Sequence, residues 1–214
     1  MGYSDKLANN SNIPSSCKEQ AKIIGKNSES IRELVNDLNI SSKLEYDTHN
    51  LDMKIVYPIK LIRCVIADFL NSGIDESYSI ELTTHDIDSN TNIIGDEFLL
   101  KRALNNLIQN SIKHNPNGCN ININCIRRAN YVFIEVLDNG IGVSCDKLEK
   151  VKSNEHYLLG NGNILEQHGL GLLIVKQIIK VHNGQITFKS QNNCGFQVTI
   201  MLEDTTVGGT RGDM

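Results

Sequence analysis

The chain has 214 residues, a formal net charge of −4, 40% hydrophobic and 21% charged residues, enough apolar material to exclude a wholly disordered chain. At about 150 residues per domain, the length allows one domain with a small appendage. The mild acidity argues against nucleic-acid binding through bulk charge and leaves local donors as the route to an anionic ligand.

Aromatic residues make up 5% and Trp is absent, so the core must be aliphatic. The six cysteines, Cys17, Cys64, Cys119, Cys125, Cys145 and Cys194, form no C-x-x-C pair and no Cys/His cluster of zinc spacing. Free thiols in a reducing compartment are the expectation, with Cys64 and Cys125 buried because they sit inside apolar runs. No run of about 18 apolar residues occurs and the start is no signal peptide, so no membrane contact and a cytoplasmic location are expected of this chain.

Residues 1–17 are polar, with a turn and helix start at Pro14-Ser15-Ser16. Ile24, Ile31, Leu34, Val35 and Leu38 fall at helical spacing, which predicts an amphipathic helix over 18–45. Its apolar stripe has no partner within the first 46 residues, so a missing helix or a second chain is expected to cover it. A strand follows over 53–57, then a helix opened by Pro58 and ended near Leu70 by Asn71-Ser72-Gly73. Strands are expected at 78–83 and 92–94. Gly95-Asp96 starts a helix to His114, with Phe98, Leu100, Ala103, Leu104, Leu107, Ile108 and Ile112 on its apolar side. Asn115-Pro116-Asn117-Gly118 breaks it. Strands 120–127 and 131–137 form a hairpin through Arg128-Ala129-Asn130. A short helix at 144–152 precedes a stretch, 153–168, that lacks periodicity and has the composition of a mobile loop. Helix 170–182 and strands 185–190 and 196–202 complete the pattern, and 203–214 is polar. Helices on one face of a mixed, mostly antiparallel sheet make a two-layer α/β sandwich.

Four local features carry chemistry. Asn106 and Asn110 are four apart, so they share a helix face, with Lys113 in the same turn. Amide oxygens suit hard Mg²⁺, and a lysine is a point charge for phosphate. Asp138-Asn139-Gly140-Ile141-Gly142 ends a strand, where a carboxylate can accept from an exocyclic amine while glycines admit a flat ligand. Gly169-Leu170-Gly171 opens an apolar helix, whose N-terminal N–H groups suit phosphate. Gly195-Phe196 precedes the last strand. Each alone is also compatible with a solvated helix face or an ordinary turn. No dinucleotide-binding G-x-G-x-x-G follows a parallel strand, and no P-loop is present.

Together, residues 95–202 resemble the ATP-binding domain of bacterial sensor histidine kinases, of the superfamily shared with DNA gyrase, Hsp90 and MutL, with a Bergerat-type fold. Residues 106–114 resemble its N box, 138–142 its G1 box, 168–176 its G2 box and Gly195-Phe196 its G3 segment. The resemblance reaches upstream to about residue 49. Residues 29–38 and 42–45 resemble the second helix of the dimerisation and phosphoacceptor hairpin. The division it implies is a hairpin remnant over 1–46, a catalytic domain over 47–203 and a tail over 204–214. The His of the first hairpin helix, with its acidic neighbour, has no counterpart among the six histidines, so the chain is expected to start just past it.

The resemblance implies ATP and Mg²⁺ as cofactors. Asn110 would ligate Mg²⁺, supported by Asn106. Lys113 would contact phosphate, and His114 would line the pocket. Asp138 would accept the adenine amine between Gly140, Ile141 and Gly142. Gly169, Leu170 and Gly171 would hinge a lid over 143–168 and face phosphate. Unlike most members, that lid has no Phe. The implied reaction is γ-phosphoryl transfer to a His of the hairpin, in cis or in trans within a homodimer, and relay to a response regulator, in a parent protein anchored at the bacterial inner membrane. The alternatives are a nucleotide-sensing scaffold of the same superfamily and, against the stripe at 24–38, a serine kinase acting on a protein partner.

Overall fold

A computed structural model describes residues 3–8, 13–46, 51–153 and 170–206. Gly169, the whole of the expected lid beyond Ser153 and most of the polar tail lie outside the described residues. The chain divides into two compact units, 1–46 and 47–214.

The first unit holds a short helix α1 (Tyr3–Ala8) and the 32-residue helix α2 (Ser15–Tyr46). Helix α2 starts before residue 18: the Pro14 carbonyl accepts from Cys17 N and from Lys18 N, the latter its first i→i−4 bond. Of the stripe expected from sequence, Ile24, Ile31, Val35 and Leu38 are exposed and Leu34 is half-buried.

The second unit runs β1 (Met53–Val56), α3 (Pro58–Asn71), β2 (Tyr78–His85), β3 (Ile93–Asp96), α4 (Glu97–His114), β4 (Cys119–Arg128), β5 (Tyr131–Asp138), α5 (Cys145–Lys152), α6 (Leu170–Val181), β6 (Gln185–Ser190) and β7 (Phe196–Glu203). Strands β1 and β3 form a small antiparallel pair, and the main sheet has the order β2-β4-β5-β7-β6. Only β2 and β4 pair in parallel within it. Strict alternation puts Ile121, Ile123 and Cys125 of β4, Val132, Ile134 and Val136 of β5, and Val198, Ile200 and Leu202 of β7 in the core. Facing pairs such as Ile123–Val136, Val136–Val198 and Ile134–Ile200 lock the register, because a one-residue slip would turn every one of them to solvent.

Helices α3, α4 and α6 cover this face. Ile62, Leu104, Ile108, Ile174 and Ile178 are fully buried against it, each worth about 1.5–3 kcal/mol relative to exposure. The result is the two-layer sandwich of helices on a mostly antiparallel sheet.

Two sequence expectations fail here. Cys64 is exposed, whereas Cys125 is buried. The inner face of α3 is set by Pro58, Leu61, Ile62 and Val65, and at about 100° per residue position 64 falls to the side of it. Burial alone pushes the Cys125 thiol up to about 12. Phe98 is 70% exposed, because the buried arc of α4 is set by Leu99, Leu100, Ala103, Leu104, Leu107, Ile108 and Ser111.

Helix α4 is placed from both ends. The Asp96 carboxylate accepts from Leu99 N at its start. The phenol of Tyr78 donates to the Asn115 and Ile112 carbonyls at its end. His182, just past α6, accepts at Nε2 from Asp96 N at 2.9 Å, while its Nδ1–H donates to Ile178 O at 2.6 Å. That tautomer is neutral. Burial pushes the His182 pKa down, and the Ile178 bond and Asp96 charge offset it only in part. Among the described residues no helix is long and apolar enough to cross a membrane.

Candidate functional site

Helix α4 runs beneath the end of β5, and the candidate residues gather along it. Asp138 is the last residue of β5 and is 3% exposed. A carboxylate so buried is tolerated only with hydrogen-bond donors, and three converge on it. Ser111 Oγ donates to Oδ2 at 3.0 Å. Asn115 Nδ2 and Gly140 N donate to Oδ1 at 3.3 and 3.0 Å.

The loop after Asp138 is held from two sides. On one, Asn115 Oδ1 accepts from Ile141 N at 3.0 Å. On the other, the β6–β7 turn closes over it. Gly195 N donates to Gly140 O and Asn193 N to Ile141 O. Ser190 Oγ accepts from Val143 N and donates to Gly195 O. Gly195 has φ +78°, and a Cβ there would stand 1.8 Å from the Asp138 carbonyl oxygen, so no other residue fits. Gly142 also has positive φ. Ile141 is 61% exposed, an apolar side chain standing at the rim of the loop. Beneath it, Cys119 Sγ lies 3.8 Å from Ser111 O. Burial, then the Asp138 charge, push that thiol up.

At the other end, Asn106 and Asn110 face the start of α6. Asn106 is buried, and its Nδ2 donates to Gly171 O at 3.4 Å. A Cβ at Gly171 would lie 3.7 Å from both amide atoms of Asn110 and 3.9 Å from Asn106 Cγ. The amide nitrogen of Asn110 is buried with no hydrogen-bond partner among the described residues. Such an orphan in a native fold calls for a ligand or water. Helix α6 starts here, with Gly171 beside both asparagines, and the first N–H groups of a helix lack intrahelical acceptors. Lys113 and His114 lie exposed in the last turn of α4.

Thus Asn106, Asn110 and Gly171 come together at one end, and Asp138, Gly140, Ile141 and Gly142 at the other. Gly169 lies outside the described residues. Sequence reasoning missed Ser111 and Asn115. The signal was there as a four-residue spacing on the Leu107–Ser111–Asn115 row, but Asn115 carries the signature of a helix breaker. Among the described residues no group of three His, Cys, Asp or Glu side chains could hold a metal. Mg²⁺ does not need one: it keeps waters and takes one or two protein oxygens plus substrate phosphates. The Asn110 amide oxygen, beside Gly171, is a ligand of that kind, and the nitrogen next to it, unpartnered among the described residues, is a donor for a phosphate oxygen.

The family model for histidine kinase-, DNA gyrase B- and HSP90-like ATPases matches residues 95–206. Sensor histidine kinase YvrG of Bacillus subtilis is 28% identical over 190 residues, 89% of this chain and 32% of that protein. Sporulation kinase B of the same organism is 30% identical over 170 residues, 79% of this chain and 37% of its own length. The chain thus spans about a third of these curated relatives. Among solved structures, the Acinetobacter baumannii histidine kinase AdeS superposes with a TM-score of 0.67 at 18% identity, covering 90% of this chain and 86% of that one. Full-length ShkA in complex with AMPPNP gives 0.71 at 19%, covering 94% and 41%. At such identities these two show a shared fold.

Proposed function

The chain belongs to the family of histidine kinase-, DNA gyrase B- and HSP90-like ATPases, and from that premise we propose that it is the ATP-binding kinase domain of a two-component sensor histidine kinase. The observation that supports this best is the polarity of the site: a buried carboxylate held by three donors at one end of α4 and a pair of asparagines facing a helix N-terminus at the other.

In this reading the adenine amine donates to Asp138, and the base lies against Ile141 over Gly140 and Gly142. The triphosphate runs along α4 towards Asn106, Asn110 and the amino end of α6 at Leu170 and Gly171, and Gly169, which precedes them in the sequence, is proposed to face phosphate with them. Asn110 would hold Mg²⁺ through its amide oxygen. When bound, the ion spreads and neutralises phosphate charge. Lys113 adds a fixed positive charge beside the phosphates, and His114 lines the same end. The protein's work is positioning and charge compensation. A nitrogen of the acceptor His attacks the γ-phosphorus, the bridging P–O bond to the β-phosphate breaks, and ADP leaves. The acceptor belongs to a helical hairpin of the kinase, to which residues 1–46 contribute one long helix. The phosphoryl group then passes to an aspartate of a response regulator. The whole acts on the cytoplasmic side of a parent protein anchored in the inner membrane.

Incubation with γ-labelled ATP, with and without a supplied hairpin bearing the acceptor His, tests this. Acid-labile label on the hairpin and none on the chain alone is the expected result. ATP binding without any transfer would favour a nucleotide-sensing scaffold. Label on the chain alone would point to an internal acceptor such as His85.

A further inference from the structure

We infer that Asn115, assisted by Ser111, is the residue that sets base selectivity, by holding the Asp138 carboxylate and the loop after it in the position an adenine amine requires. The inference rests on the adenine reading of Asp138 and deepens it.

Asn115 uses both ends of its amide, and each end touches a different part of the base site. Its Nδ2 donates to Ser111 O at 2.8 Å and to Asp138 Oδ1 at 3.3 Å. Its Oδ1 accepts from Ile141 N at 3.0 Å. One side chain therefore fixes the carboxylate and the backbone of the loop relative to each other and to α4. It is itself 5% exposed, and its own carbonyl is held by Tyr78 Oη at 2.9 Å and Gly118 N at 2.9 Å. A side chain gripped in this way has no freedom to swing. The absence of a side chain at Gly140 follows from it: a Cβ there would lie 1.9 Å from Asn115 Oδ1.

Ser111 completes the hold. Its hydroxyl donates to Oδ2 at 3.0 Å. With Gly140 N and Asn115 on Oδ1, the carboxylate is oriented by three donors, and Oδ2, which accepts only from Ser111 among the described residues, keeps acceptor capacity for a further one. Asn115 and Ser111 need not touch the nucleotide. They are positioning residues, and what they control is where the acceptor stands. An amine–carboxylate bond depends steeply on that geometry.

The test compares ATP with purine riboside triphosphate, which has hydrogen in place of the amine but the same ribose and phosphates. Affinities of the full 214-residue chain are measured by competition against a fluorescent ATP analogue, for the wild type, Asn115→Ala and Ser111→Ala. The wild type should prefer ATP by about tenfold or more, the worth of a hydrogen bond to a charged acceptor. Asn115→Ala should bring the ratio to within about threefold of unity, by weakening ATP while sparing the amine-free analogue. Ser111→Ala removes only a hydroxyl and should lower the ratio less; it carries the test should Asn115→Ala fail to fold. A purely structural role would weaken both nucleotides in parallel and leave the ratio intact, which would overturn the inference. So would a ratio unchanged in both variants beside a discriminating wild type. A wild type that binds the two nucleotides equally would instead remove Asp138 from base reading, and the inference with it.

Discussion

The two ends of the candidate site differ in how finished they are. At the Asp138 end three donors meet the carboxylate, and the loop after it is fastened by Asn115 on one flank and by the β6–β7 turn on the other. At the Asn110 end the amide nitrogen is buried without a partner among the described residues, and Asn106 makes one long bond to Gly171 O. The first end takes its order from folding itself, so a base entering it meets groups already in place. The second leaves polar groups for a ligand to satisfy. Damage at the first should therefore cost stability and selectivity together, whereas damage at the second should cost ligand binding alone.

The largest effect should come from Gly195→Ala. Positive φ and a 1.8 Å approach to the Asp138 carbonyl leave no room for a methyl group. A loss of about 3 kcal/mol is expected, which for a chain of this size is a drop in Tm of roughly 6–12 °C, with ATP affinity falling alongside. Calorimetry of the variant checks it; an unshifted Tm would show that the loop is not built into the fold.

A smaller effect, on selectivity together with some stability because an amide nitrogen cannot accept from the donors that hold the carboxylate, should follow Asp138→Asn. Guanine would set its carbonyl oxygen against the Asp138 carboxylate, acceptor against acceptor, so the wild type should prefer ATP to GTP. In the variant an amide can donate to that carbonyl. Competition titration should show the ATP-over-GTP preference falling about tenfold, and an unchanged preference would take the base away from this end.

The reach of sequence into this site follows from how local each feature is. Asn106 with Asn110 is a helix-spacing argument, and Asp138 followed by glycines is a strand-end argument; both sit within a few residues. The clamp on Asp138 joins Ser111 and Asn115 to a residue 27 and 23 positions away. It exists only because the last turn of α4 packs under the end of β5. The His182–Asp96 contact spans 86 positions and leaves no local trace at all. Within elements, Cys64 and Phe98 misled for one reason. Apolar character was legible, but which side of α3 and α4 faces the sheet is decided by packing, and both residues fall just off the buried arc.

The smallest effect is a pH dependence that sharpens the comparison, because it acts on α4 and α6 from outside both ends. Burial holds His182 neutral in the fold, with its pKa below the unfolded value of 6.5. Its contribution to stability is fully present above about pH 6.5 and is lost as pH falls from there through the folded pKa. A proton on Nε2 would face Asp96 N–H and abolish that bond. The Tm of the wild type should fall between pH 7 and pH 5 by more than that of His182→Gln. Asp75, Asp88 and Asp204, all held below the usual carboxylate range, titrate beneath this window. Parallel pH curves would exclude the histidine.

The division between a finished and an unfinished end is tested most directly by titrating ATP calorimetrically into the wild type and Asn110→Ala, each with Mg²⁺ and with the metal chelated. The Tm of the variant should stay within about 3 °C of the wild type, since the amide nitrogen removed has no partner among the described residues. The wild type should bind ATP about tenfold or more tightly with Mg²⁺ than without, as expected when a charged ligand group gains a protein oxygen. Asn110→Ala should bind equally in both conditions, at the affinity of the metal-free wild type. An equal gain from Mg²⁺ in both proteins would contradict the account.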